Sequence, residues 1–378
     1  MSETKTIVSV VGTRPNFMKM APIAAALASR PGEFRHVLVH TGQHYDAAMS
    51  EVFFAELGVG EPDHRLAVGA GSHGQTTARV MERIEPLLSE LRPDVVLVPG
   101  DVNSTMAAAL VAVKLGLVVG HVEAGLRSFD RSMPEEVNRV VTDAVSQTLF
   151  IHSPEAHEHL LAEGRPAEAI HYVGNTMIDT LVAMRGRIEG NDVATRLGLT
   201  RGDYLVVTLH RPALVDGPLL AETVRALEAV ARELPVVFPV HPRTRARMQA
   251  LGIGEPTADL RLLEPLGYLD FLALVAGASG VLTDSGGIQE ETTFLGVPCL
   301  TLRDNTERPV TVEMGTNVLL GLAPARIYET PALLAEARSR PARIPPLWDG
   351  AAAGRIVEVL AGEGACAAQA TPSAEVVR

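Results

Sequence analysis

Along the chain, short runs of β-branched and other apolar residues alternate with longer amphipathic or alanine-rich segments. The runs Thr6–Val11, Arg35–His40, Asp94–Pro99, Val118–Val122 and Thr148–His152 predict strands. Between them, Met18–Ser29, Gln75–Leu91, Thr105–Leu115 and Glu135–Val145 predict helices. The rhythm pauses around Val173–Asn191 and restarts. Tyr204–Leu209, Val236–Val240, Asp259–Leu263, Gly280–Thr283 and Cys299–Leu302 form a second set of strands. Helices near Leu219–Leu234, Leu269–Ala278 and Ile288–Leu295 separate them, and Ala351–Leu360 reads as one more. The residues beyond Gly362, rich in Ala, Gly, Pro and Ser, are expected to be loose. Strand–helix alternation of this kind implies parallel, doubly wound sheets. Two such halves predict two Rossmann-like α/β domains with a cleft between them, and ligands bind outside the carboxyl ends of the strands.

Composition fits that picture and narrows the partners. The chain has 378 residues, of which 47% are hydrophobic and 21% charged, enough for ordinary cores in about two domains. Its net charge of −12 argues against a general nucleic-acid or anionic-membrane binder. Two cysteines, Cys299 and Cys366, exclude a disulfide framework and a Cys-rich metal site. Cys299 lies in an apolar run and is expected to be a buried thiol. No apolar stretch is long enough to span a membrane, and the N-terminus lacks a secretory pattern.

Candidate chemistry clusters where strands end. The first strand runs into Gly12-Thr13-Arg14-Pro15-Asn16 and a helix bearing Lys19. A glycine there permits close approach of backbone to an anion, and Arg14 and Lys19 add charge. The alternative is a plain strand–helix turn. Gly69-Ala70-Gly71-Ser72-His73-Gly74 has the spacing GxGxxG, but it follows a poor strand and reads as a flexible loop rather than a dinucleotide site. Asp101 follows the strand Asp94–Pro99, and is either a turn residue or a carboxylate at the cleft edge. Asn103, Ser104 and Thr105 read as caps of the next helix. Glu123 follows Val118–Val122, and Met133-Pro134-Glu135-Glu136 opens a helix with acids in its first turn. Helix starting explains Glu135 and Glu136, but not three acids on one cleft. Carboxylates gathered in one site suit proton transfer. A metal site using His121 is the rival, although no HExxH or comparable spacing appears.

In the second half, His210 ends a strand as a phosphate or leaving-group partner, or as a structural polar residue; Val240-His241-Pro242-Arg243 repeats the arrangement. Leu282-Thr283-Asp284-Ser285-Gly286-Gly287-Ile288-Gln289-Glu290-Glu291 combines a strand, Ser-Gly-Gly and a helix start, which makes an anion cradle of backbone N–H groups. Glu291 lies where a carboxylate could take both ribose hydroxyls. The simpler reading of Ser285 is a helix cap. Thr306-Glu307-Arg308-Pro309 adds another arginine after the next strand. Together these residues describe a two-Rossmann protein that binds a nucleotide diphosphate and carries an acidic catalytic patch.

Taken in order, Gly12-Thr13-Arg14-Pro15 with Lys19-Met20-Ala21-Pro22, His121 to Arg127, Pro134-Glu135-Glu136 with Asn138-Arg139, Asp284 to Glu291 and Thr306-Glu307-Arg308-Pro309 resemble the non-hydrolysing UDP-N-acetylglucosamine 2-epimerases. The resemblance covers about Ile7 to Leu360. It implies the GT-B fold, with residues 1–173 and 174–349 as the two domains and a C-terminal helix near 350–362 packing back on the first. It implies interconversion of UDP-GlcNAc and UDP-ManNAc through elimination of UDP to 2-acetamidoglucal, without NAD or metal. By motif match, Asp101, Glu123 and Glu135 would be acid/base carboxylates, and Lys19 and His210 essential partners. Arg14, Ser285, Gly286 and Gly287 would hold the diphosphate, Glu291 the ribose and Phe271 the uracil. Amide replacements of the three carboxylates are each expected to lower turnover by about 10²–10⁴-fold or more with little change in stability. A cytoplasmic homodimer acting on a UDP-sugar, with no nucleic-acid or membrane partner, is the expected setting. The alternatives are a hydrolysing relative that releases ManNAc and UDP, and a GT-B glycosyltransferase.

Three departures stand out. His210-Arg211-Pro212-Ala213-Leu214 replaces the family's frequent His-Arg-Arg-Glu-Asn, and the segment between Glu123 and Glu135 is about two residues shorter than in many bacterial members. Many such relatives also bind a second, activating UDP-GlcNAc. Here Asp46 stands for an amide in Gln43-His44-Tyr45-Asp46, and Gly74-Gln75 lacks an arginine, so weak or no activation is expected.

Overall fold

A computed structural model describes residues 4–42, 60–253, 259–339 and 342–362. Gln43, His44, Tyr45 and Asp46, Cys366 and the residues beyond Gly362 lie outside the described residues. The described residues form two compact units, one of residues 4–42, 60–179 and 349–362, the other of residues 180–253, 259–339 and 342–348.

The first unit is built on a seven-stranded sheet in the order β3-β2-β1-β4-β5-β6-β7, with all neighbours parallel. Its strands are β1 (Lys5–Val11), β2 (Phe34–His40), β3 (His64–Arg65), β4 (Val95–Pro99), β5 (Val118–Val122), β6 (Thr148–Ile151) and β7 (Ile170–Tyr172). Parallel strands covered on both faces must be apolar on both, which is why they read as valine and isoleucine runs. The register puts Val8 beside Val37 and Val96, and Val96 beside Val119. These valines pack with Ile84, Leu88, Ala108 and Ala112 from the helices His73–Leu91 and Asn103–Lys114.

The second unit repeats the topology with six parallel strands in the order β10-β9-β8-β11-β12-β13. These are β8 (Leu205–Thr208), β9 (Val236–Pro239), β10 (Leu260–Leu263), β11 (Gly280–Thr283), β12 (Cys299–Thr301) and β13 (Asn317–Leu319). Val207, Leu227, Phe238, Leu282 and Leu300 lie in its core. Cys299 is fully buried, and burial pushes its thiol up to about 11, so it is a packing residue and not a nucleophile.

Several expectations change. The three strands that the sequence pattern missed, β3, β7 and β13, sit at sheet edges and have two or three residues each, too few to show alternation. The expected pause at Val173–Asn191 holds a helix, Thr176–Glu189, whose Ile178, Leu181, Met184 and Ile188 are buried at helical spacing. The first helix starts at Arg14, four residues before the expected Met18, because Asn16 Oδ1 accepts from the Gly12 and Thr13 N–H groups at 3.1 Å each. Asn103, Ser104 and Thr105 do not cap their helix; they form its first turn behind Val102, and Thr105 Oγ1 donates to the Pro99 carbonyl at 2.7 Å. In the GxGxxG segment Gly69 to Ser72 are loop, as expected, and His73 and Gly74 open the helix His73–Leu91, two residues before the expected Gln75, where Ser72 and Gln75 form a reciprocal capping box.

The last helix, Ala352–Ala361, packs on Arg14–Ala28 within the first unit. Its N-cap, Ala351, has no side chain able to cap. Asp179, on Thr176–Glu189, supplies the missing acceptor and takes the Ala352 and Ala353 N–H groups at 3.1 and 2.7 Å.

Candidate active site

Strand order fixes where polar chemistry can gather. In each unit the connections diverge between the first strand and its neighbour, at β1/β4 and at β8/β11. The carboxyl ends at such a switch point are the ligand-binding edge of an open parallel sheet. In the first unit Arg14 follows β1 and Asp101 follows β4, while Glu123 follows β5 next door. In the second unit His210 follows β8 and Ser285 follows β11.

In the first unit the structure joins two of the sequence candidates directly. Lys19 and Glu123, both buried, form an ion pair through Nζ and Oε2. Glu123 has φ 72°, a left-handed backbone that costs a non-glycine residue about 1–2 kcal/mol. Such strain persists only where the surroundings over-determine it. Gly100, just before Asp101, has φ 65°, and an added Cβ would lie 2.9 Å from Lys19 Nζ and 3.4 Å from Glu123 Oε2. Only glycine meets both demands. Asn16 Nδ2 donates to the Pro99 carbonyl at 3.0 Å, which ties the turn after β1 to the end of β4. A small pocket beside the ion pair is lined by Lys19, Glu123, Phe150, His152 and Asn175.

Asp101 is a quarter exposed and pairs with Arg139 Nη1 at 2.5 Å. Arg139, buried on the helix Pro134–Val145, also donates from Nη2 to Glu136 Oε2 at 2.7 Å. Glu136 takes the Ser128 and Phe129 N–H groups at 2.9 Å each. Burial disfavours its ionised form, but the Ser128 and Phe129 N–H bonds and Arg139 outweigh this and lower its pKa. Glu136 is therefore the staple of the loop before the helix. Its neighbour Glu135 is half-buried in the first turn.

In the second unit Asp284 organises the end of β8. Its buried carboxylate accepts from the N–H groups of His210 and Arg211 at 2.9 and 2.8 Å, and from His210 Nδ1 at 3.1 Å. Burial opposes its ionisation, and the His210 bond and charge with the two N–H donors overcome it, so its pKa is lowered. The contact engages Nδ1 with Asp284 and leaves Nε2 as the ring nitrogen free to meet a ligand. Ser285 stands at the N-cap of the helix Gly286–Leu295, yet its side chain makes no capping bond. The plain-cap reading of Ser285 thus does not describe its side chain. Arg308 is buried against Glu307 and Glu290 beside Gly286, which has no room for a Cβ against Arg308 and Glu307. Gly287 follows, half-buried, in the first turn. Glu291 accepts from the Tyr268 hydroxyl at 3.0 Å, and Phe271 is half-buried on the helix Tyr268–Gly277.

Sequence reasoning did not single out Asp143 or His152. His152 follows β6 in a strand–His–(Ser)–Pro pattern close to that of His210 and His241, and this repetition was the available signal.

The UDP-N-acetylglucosamine 2-epimerase family matches residues 25–361. The chain is 39% identical over 363 residues to a UDP-N-acetylglucosamine 2-epimerase of Methanococcus maripaludis, covering 94% of this chain and 98% of the relative. It is 41% identical to a Pseudomonas aeruginosa UDP-2,3-diacetamido-2,3-dideoxy-D-glucuronate 2-epimerase, over 86% of this chain and 90% of the relative. The solved UDP-GlcNAc 2-epimerase of Methanocaldococcus jannaschii, in complex with UDP-GlcNAc and UDP, superposes with a TM-score of 0.85 at 39% identity, covering 94% of this chain and 99% of that one.

Proposed function

The chain belongs to the UDP-N-acetylglucosamine 2-epimerase family and has its two-domain GT-B architecture, and from this we propose that it interconverts UDP-GlcNAc and UDP-ManNAc without releasing free sugar. The observation that carries the reading is the pair of acids at neighbouring strand ends, Glu123 against Lys19 and Asp101 against Arg139. A neighbouring cation keeps a carboxylate ionised, the form that can accept a proton, and fixes its direction.

In this mechanism Glu123 takes the C2 proton of the sugar. The C2–H electron pair becomes the C1=C2 bond, and the C1–O pair leaves with UDP, giving 2-acetamidoglucal. UDP then adds back at C1 while a proton returns to C2 on the opposite face, from Asp101 or Glu135 in its acid form; solvent then takes the proton held by Glu123 and re-protonates the donor, which restores the enzyme. Charge grows on the departing phosphate oxygen. Arg14, His210, Ser285 and the N–H groups of Gly286 and Gly287 stabilise it. Glu291, oriented by Tyr268, takes the ribose hydroxyls, and Phe271 stacks on uracil.

The test is to incubate the protein with UDP-GlcNAc in deuterated water without NAD. Both epimers should carry deuterium at C2, and their sum should account for all sugar. Epimerisation with retention of all original hydrogen would exclude the elimination, and accumulation of free ManNAc and UDP would assign the hydrolysing reaction instead. The 41% identity to the diacetamidoglucuronate 2-epimerase favours one second reading, the same inversion on a UDP-2,3-diacetamido uronate. Exchange with that sugar and none with UDP-GlcNAc would select it.

Ser285→Ala should raise the Kd for UDP by about tenfold, the effect of losing one hydrogen bond to a charged group. Titration calorimetry with UDP reads this directly, and an unchanged Kd would take Ser285 out of the diphosphate site.

A further inference from the structure

Behind Glu123 lies a polar group that the elimination does not use. His121, on β5, is fully buried; its Nε2 donates to the Gly100 carbonyl at 2.7 Å and its Nδ1 faces Asp143 Oδ1 at 2.6 Å. A carbonyl only accepts, so Nε2 carries a proton, and Nδ1 is the nitrogen that meets Asp143. Asp143, on the helix Pro134–Val145, turns its other oxygen to the Gly125 N–H at 3.1 Å and to Arg127 Nη1 at 2.7 Å. Arg127 continues to Glu163 through Nε and Nη2, at 2.7 and 2.6 Å. His121, Asp143 and Arg127 are buried, and Glu163, which is exposed, closes the chain of contacts at the surface; a buried Asp143 carboxylate and Arg127 guanidinium are tolerated because they are paired.

These contacts surround one residue. Asp143 grips the chain two residues before Glu123, at His121, and two residues after it, at Gly125. His121 also fixes the carbonyl of Gly100, the glycine that abuts both Lys19 Nζ and Glu123 Oε2. The left-handed backbone at Glu123 is held from both flanks and from the neighbouring strand end. We propose that Asp143 and His121 are positioning residues that clasp the turn at Glu123 and aim its carboxylate at the substrate C2.

The proposal rests on Glu123 acting as the base, and a double-mutant cycle separates the two ideas. Full-length Asp143→Asn, Glu123→Gln and the double variant are compared by kcat and KM with UDP-GlcNAc. Asp143→Asn alone should lower kcat about 10–100-fold, as loss of an orienting hydrogen-bond partner does at other sites, with KM nearly unchanged. In the Glu123→Gln background the same change should cost no more than about twofold, because the group it positions is already gone. An equal loss in both backgrounds, or no loss in either, would overturn the proposal. Wild-type turnover in Glu123→Gln would instead remove the base assignment. If circular dichroism shows Asp143→Asn unfolded, His121→Gln takes its place in the cycle under the same criteria.

Discussion

Glu123→Gln should lower kcat by about 10²–10⁴-fold, the range lost with a positioned general base. Glutamine keeps the size and an acceptor oxygen but cannot take the C2 proton. The sequence reading expected stability to stay nearly unchanged, and the structure revises this. Glu123 is the counter-ion of buried Lys19, so the amide leaves an ammonium without its charge partner. Breaking such a buried pair costs about 3–5 kcal/mol. The variant should therefore lose turnover and also melt earlier, whereas Asp101→Asn, at a quarter-exposed pair, should lose turnover with a smaller shift in Tm. Steady-state kinetics and calorimetric melting on the same preparations check both statements. Near-normal kcat in Glu123→Gln would exclude it as the base.

Glu307→Gln should produce a comparable loss of stability with no proton-transfer role. This carboxylate is buried between Arg303 and Arg308, with Arg211 Nη2 at 3.7 Å. Burial opposes its ionisation, but the fields of Arg308 and Arg303, the Arg303 hydrogen bond and Arg211 hold its pKa well below the usual value. Removing the charge takes the carboxylate partner from buried Arg303 and leaves Arg308 to its pair with Glu290, which should cost about 3–5 kcal/mol. A folded pKa depressed below the unfolded one stabilises above the unfolded pKa of about 4.3, and that stability is lost as pH falls towards the folded pKa. The gap between wild type and Glu307→Gln should thus be constant from about pH 5 to 7 and narrow towards about pH 3. Urea unfolding at these pH values measures it, and a gap that widens in acid would contradict the assignment.

The two sheets and the strand-end candidates were legible in the sequence because both follow from chain order. A valine run followed by a glycine and an acid fixes a buried strand and a residue at its carboxyl end. Partner choice was not legible, because it depends on which helix face turns inward. The helix Pro134–Val145 illustrates this: the residues it buries are Glu136, Asn138, Arg139, Thr142 and Asp143, while Val137 is 41% exposed. Hydrophobic periodicity would place its valines inside. The polar stripe Glu136, Arg139, Asp143 at helical spacing carries the opposite information, but only contact with Asp101 and His121 explains it. Thr176–Glu189 was missed for a simpler reason. Its buried Ile178, Leu181, Met184 and Ile188 have regular spacing, but Arg185, Gly186 and Arg187 interrupt the apolar impression.

The capping of Ala352–Ala361 by Asp179 bears on the order in which the protein can be made. Chains emerge from the ribosome N-terminus first, and domains generally fold as units as they appear. Residues 180–348 lie within one stretch of chain and can collapse while synthesis continues. The first unit cannot be completed then, because residues 349–362 are among its parts. Until they arrive, the helix bearing Lys19 lacks the surface of Ala352–Ala361, and Asp179 lacks the two N–H groups it is buried against. Of the two units, the one whose residues appear first is therefore completed after the other, and Lys19 becomes fully supported only once residues 349–362 have been translated.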